Sequence, residues 1–83
     1  MAVQFAMVFP GQEDARAAAG ILRAAGYEVD VRAEDDRSCV VCALGEVPAS
    51  GIARTRAWMQ ALADEHGGDF LGHGGISIHG LRG

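Results

Sequence analysis

Large apolar residues fall at every second position near the start of the chain: Val3, Phe5, Met7 and Phe9, with Gln4, Ala6 and Val8 between them. A period of two predicts a strand with one dominant face. Pro10-Gly11 ends it, and the period then changes. From Gln12 to Ala25, the residues Ala15, Ala18, Ala19, Leu22 and Ala25 share one helical stripe. Glu13 and Asp14 in the first turn and Arg23 in the last complement the helix dipole. Gly26 supplies the left-handed stop.

The next stretch, "YEVDVR", alternates again, with Tyr27, Val29 and Val31 predicted inward and Glu28, Asp30 and Arg32 outward. "AEDDRS" reads as a polar turn. "CVVCAL" reads as a more fully apolar strand, and so as a central one. Pro48 to Ser50 open a second helix predicted to run to about His66, with Ile52, Thr55, Met59, Leu62 and Ala63 toward the core. Gly67-Gly68 stop it, and the glycine-broken tail from Asp69 to His79 holds "ISIH" as a last strand. The order is βαββαβ. Two crossover helices around an antiparallel centre predict an α+β fold: a ferredoxin-like two-layer sandwich with a four-stranded antiparallel sheet and both helices on one face.

The 83 residues predict one domain, 1–83. At the usual per-residue scale its net stability is about 4–12 kcal/mol. Much of the 49% apolar content is alanine, so a homodimer or a partner protein would be a natural source of further buried area.

The net charge is −4, from eleven acids against seven arginines with no lysine. Such a chain gains little from the counterion release that drives nucleic-acid binding, and it suits a basic or mixed-charge protein partner. RNA-recognition domains share the βαββαβ order but stack bases on aromatics of the central strands. "SCVVCAL" offers neither an aromatic nor a basic residue, so direct nucleic-acid binding is not expected. The start, "MAVQFAMVFP", has no positive flank and breaks at Pro10, which is not the pattern of a signal peptide. The longest apolar run is about a third of what crosses a bilayer. No membrane association is expected, and the two cysteines fit a reducing cytoplasm.

Each residue with chemical potential has a structural explanation to set against it. Gly11 stands where a phosphate loop would begin, yet Gln12, Glu13 and Asp14 follow, and carboxylates repel an anion; Gly11 reads as a helix cap. Cys39 and Cys42 spell Cys-X-X-Cys, but in a strand that spacing gives opposite faces and roughly 10 Å between Cα atoms, beyond the ~7 Å limit of a disulfide. They read as small apolar residues. His66 suits a helix C-terminus. His73 and His79 would need a third ligand to hold a metal, so no metal and no cofactor is expected. Ser38, Ser50 and Ser77 have no evident supporting histidine, and no acid pair sits among apolar residues, so an enzyme is the least favoured class. Glu34, Asp35 and Asp36 form an acidic hairpin tip that, with Glu28 and Asp30, extends negative potential along the second strand. Trp58 falls at the margin of its helix's core stripe with Arg54 one turn away, a pairing suited to a contact patch.

Two segments, "FPGQEDARAAAGILRAAGYEVDV" and "EVPASGIARTRAWMQALADEHGGDFLG", resemble the two halves of the RraB family, protein inhibitors of ribonuclease E. The likeness lies in the Phe-Pro, the acidic helix start, the alanine-rich helix, the Gly-Tyr-Glu-Val strand, the Val-Pro and the closing Gly-Gly-acid-aromatic, from about Phe5 to Gly72. The resemblance implies a non-catalytic domain that binds the endoribonuclease, or its scaffold region, and lowers its activity. The family usually carries Gly-Trp after the closing aromatic, where this chain has Gly72-His73. The candidate partner-binding residues are Glu28, Asp30, Glu34, Asp35, Asp36, Arg54, Trp58 and His73. An alternative reading is a small-molecule-sensing or homo-oligomeric ferredoxin-like domain that uses its open sheet face, made apolar by Phe5, Met7, Val41 or their neighbours.

Overall fold

The computed structural model describes residues 2–75. Strands β1 (Ala2–Phe9), β2 (Glu28–Asp35), β3 (Ser38–Glu46) and β4 (Asp69–Gly75) form one antiparallel sheet in the order β2-β3-β1-β4. Helices α1 (Gln12–Ala24) and α2 (Ile52–Glu65) complete the order βαββαβ of a ferredoxin-like α+β fold. The apolar "CVVCAL" strand is central, as its composition predicts.

The alternation in β1 decides where the core lies. Val3, Phe5, Met7 and Phe9 are all buried, alongside Cys39, Val41 and Ala43 of β3. The helices cover that face, α1 mainly over β2 and β3 and α2 over β4 and β1. Helix α1 contributes Ala15, Ala18, Ala19 and Leu22, and α2 contributes Met59, Leu62 and Ala63. The three α1 alanines let that helix lie close to the bulky side chains of the sheet. Val29 and Val31 point the same way but stay half-buried, because β2 is an edge strand. Ala25, at the end of the α1 stripe, is exposed as the helix cap.

Both helices end in the same way. Gly26 has φ 99° and Gly67 has φ 76°, backbone that side-chain-bearing residues rarely adopt. Gly26 N–H donates to the Arg23 carbonyl and Tyr27 N–H to that of Leu22; after α2, Gly67 N–H donates to Asp64 and Gly68 N–H to Ala63. These paired bonds satisfy helix-end carbonyls in a Schellman arrangement.

One sequence expectation is corrected and another is met earlier in the chain than its residues suggested. The second helix does not begin at Pro48: a 3-10 turn, Ala49–Gly51, comes first, and α2 starts at Ile52. Pro48 is extended (ψ 147°), and its carbonyl accepts the Gly51 N–H at 2.8 Å, which tightens the turn. A fourth strand begins at once after Gly68, earlier in the tail than expected. "DFLGHGG" pairs with β1 despite its glycines, because Gly72 (φ 126°) absorbs a bulge opposite the Ala6–Met7 step. "ISIH" lies outside the described residues.

Tyr27 leaves α1 directly over Gly45 of β3. A β-carbon at Gly45 would overlap the Tyr27 ring, whereas one at Gly20, on the exposed side of α1, would meet nothing. Gly45→Ala is therefore expected to lower stability by about 1–3 kcal/mol. Gly20→Ala is expected to raise it by about 0.5–1 kcal/mol. Urea unfolding midpoints of the two variants check both signs.

Candidate functional site

Opposite the helices the sheet is bare among the described residues. Cross-strand pairing sets its side chains in rows: Glu28, Leu44 and Gln4; Asp30, Cys42 and Ala6; Arg32, Val40 and Val8. The β1 and β3 members of these rows are apolar apart from Gln4, and all but Gln4 are half-buried. Phe5, Met7 and Val41, suggested above as the apolar residues of the open face, are instead fully buried beneath the helices. With a period of two, their neighbours take the open face. Its central strands carry no aromatic and no cation among the described residues.

The β2 side of this face is charged. Glu28 and Asp30 line a hollow of about 270 Å³ together with Gln4, Val29, Cys42 and Leu44. Arg32 pairs with Asp30 at 3.3 Å, with both side chains largely in water, so the pair contributes little to stability. Acidic and apolar groups thus meet at one shallow edge.

The hairpin tip is a separate feature. Glu34 sits at an irregularity in the β2–β3 register. The Asp35 carboxylate accepts the Arg37 backbone N–H at 2.7 Å, which gives Asp35 a turn-forming role. Asp35 and Asp36 border a hollow of about 370 Å³ shared with Gly11 and Gln12 at the N-terminus of α1, whose first turn carries its own acids, Glu13 and Asp14. Gly11 caps α1 with extended backbone, and its carbonyl accepts the Ala15 N–H at 3.1 Å.

Arg54 and Trp58 lie on the other layer. Trp58 is 40% exposed, and its ring stacks on Tyr27 with centroids 6.4 Å apart and planes 19° apart. Tyr27 in turn meets Phe5 edge-on at 6.2 Å, so an aromatic chain runs from the core to the helix surface. His73 of β4, paired with Phe5 of β1, is exposed with its ring 5.9 Å from that of Phe5. The eight candidate residues therefore do not form one site. Glu28 and Asp30 share the open face, Glu34, Asp35 and Asp36 the hairpin end, and Arg54 and Trp58 the helix layer, while His73 stands on β4.

Cys39 and Cys42 take opposite sides of β3 as free thiols, Cys39 buried and Cys42 half-buried on the open face. His79 lies outside the described residues.

The model of one protein family, described as regulator of ribonuclease activity B, matches residues 1–74. The chain belongs to the RraB family. Neither the curated proteins nor the solved structures compared with the chain contain a match. No helix among the described residues of this RraB-family chain is long and apolar enough to cross a membrane.

Leu44, Val40, Ala6 and Tyr27 were not singled out as functional residues from the sequence. The signal for the first three was present, since fixing Cys39, Val41 and Ala43 inward fixes Val40 and Leu44 outward, and the buried Phe5 and Met7 fix Ala6 outward in the same way. The Tyr27–Trp58 stack had no such signal, because it depends on where α2 crosses the sheet. A thiol reagent is expected to modify Cys42 in the native protein, with Cys39 reacting only on unfolding. Two equal rates in native buffer, read by mass spectrometry, would contradict this face assignment.

Proposed function

We propose that this RraB-family chain is a cytoplasmic, non-catalytic protein that lowers the activity of an endoribonuclease by direct contact, with ribonuclease E or its scaffold region as the partner. Family membership supports regulation of a ribonuclease. The observation that carries the mode of action is the open sheet face, where apolar Ala6, Val8, Val40, Cys42 and Leu44 lie beside the carboxylates of Glu28 and Asp30.

Protein interfaces combine a desolvated apolar centre with a polar rim. Here the rim is negative, which suits a partner segment bearing arginine or lysine among apolar residues. Charges of this kind raise the association rate and select the partner, while the apolar rows supply buried area.

Binding to ribonuclease E from the same source, together with RNA cleavage in the same mixture, tests the proposal. The double variant Glu28→Lys/Asp30→Lys is expected to weaken binding by about tenfold or more at low salt. Leu44→Asp is expected to weaken it further, with the circular dichroism spectrum unchanged. Full inhibition by both variants, or no binding by the parent chain at about 10 μM, would overturn the proposal.

A further inference from the structure

Helix α2 presents a second stripe beside its core-facing one. Arg54, Trp58, Ala61 and Glu65 are all exposed, and their 4-3-4 spacing is that of a helix–helix seam. In sequence order the stripe reads cation, large, small, anion. Reversed, it is its own complement. When two such helices run antiparallel about a two-fold axis midway between Trp58 and Ala61, each Arg54 faces the other copy's Glu65. Each Trp58 then faces the other copy's Ala61.

The surface fits that arrangement. Trp58, Ala61, Leu62 and Glu65 line a groove of about 170 Å³ whose far wall is Ile21 of α1, itself 42% exposed. Ala61 is the low point that an indole can cover, with Leu62 and Ile21 beside it. The Tyr27 stack holds Trp58 from behind, so little rotamer freedom is lost on pairing. Neither Arg54 nor Glu65 has an ion-pair partner among the described residues.

We infer that this chain associates with a second copy of itself through antiparallel α2 helices, with Arg54 against Glu65 and Trp58 against Ala61 on both sides of the axis. A seam of two 14-residue helices, each about 21 Å long, belongs to the small and transient class of interface. The pairing does not rest on the ribonuclease reading. It lies on the helix layer and leaves both open sheet faces free, so a dimer would offer two regulator surfaces facing away from each other.

Sedimentation equilibrium of the full chain, up to about 1 mM, measures the association. The mass is expected to rise from 8.7 kDa toward twice that value, with a blue shift of the Trp58 emission. Arg54→Glu alone and Glu65→Arg alone should each weaken self-association by about tenfold or more, because each variant sets like charges opposite each other twice. Mixing the two single variants should restore pairing, since the charges then match again, and the Arg54→Glu/Glu65→Arg double variant should recover it unaided. Circular dichroism checks that each variant is folded. A monomer across the whole range would overturn the inference. So would a dimer indifferent to either single reversal, a mixture that fails to pair, or a dimer abolished by Leu44→Asp instead.

Discussion

The strict alternation of β1 is the constraint on which the rest of this structure depends. Because successive side chains of a strand point to opposite faces, Phe5, Met7 and Phe9 commit one side of the sheet to burial and leave Gln4, Ala6 and Val8 on the other. A register slip of one residue would bring two phenylalanines into water, at a cost of about 1.5–3 kcal/mol for each large side chain. The central pairing of β1 with β3 repeats the commitment through Cys39, Val41 and Ala43. Both helices are drawn to the side that needs covering, and the opposite side keeps shorter apolar residues in ordered rows.

From that sorting come two surfaces with different chemistry. The sheet side joins apolar rows to carboxylates on β2, and those acids also protect an edge strand from pairing with stray chains. The helix side carries Trp58 and Ile21 between arginine and glutamate. The two are linked through the core, since Phe5 sits under the sheet rows and meets Tyr27, which supports Trp58. Gly26 and Gly45 make the link possible: one ends α1 so that Tyr27 turns back over β3, and the other leaves room for its ring. Structural glycines therefore fix where an exposed aromatic stands.

Much of this was legible in the residues. The elements, their order, the central place of "CVVCAL", the positive φ of Gly26 and the opposite facing of the two cysteines all follow from period and local chemistry. The start of α2 was less legible, because Pro48 favours either a helix opening or a preceding turn and only the hydrogen bond to Gly51 distinguishes them. The reach of β4 was hidden by its glycines, which weaken a strand signal even where pairing with β1 sustains the strand. The candidate site was legible as a set of residue types but not as places. Acids of β2 and of the hairpin tip look alike in sequence, and only the packing of the layers separates them from each other and from Arg54 and Trp58 of α2. Assigning Phe5, Met7 and Val41 to the open face overlooked that the bulkiest alternating set goes beneath the helices.

The central claim is that the side of the sheet opposite the helices, and not the helix layer, meets the ribonuclease. Amide chemical-shift perturbation of the isotope-labelled chain, titrated with ribonuclease E or its scaffold region, tests it most directly. The account expects the largest changes at residues 4–8, 28–32 and 40–44, with α1 and α2 little affected at concentrations where the chain is monomeric. Changes concentrated on the outward faces of α1 and α2, or none anywhere at saturating partner, would contradict it.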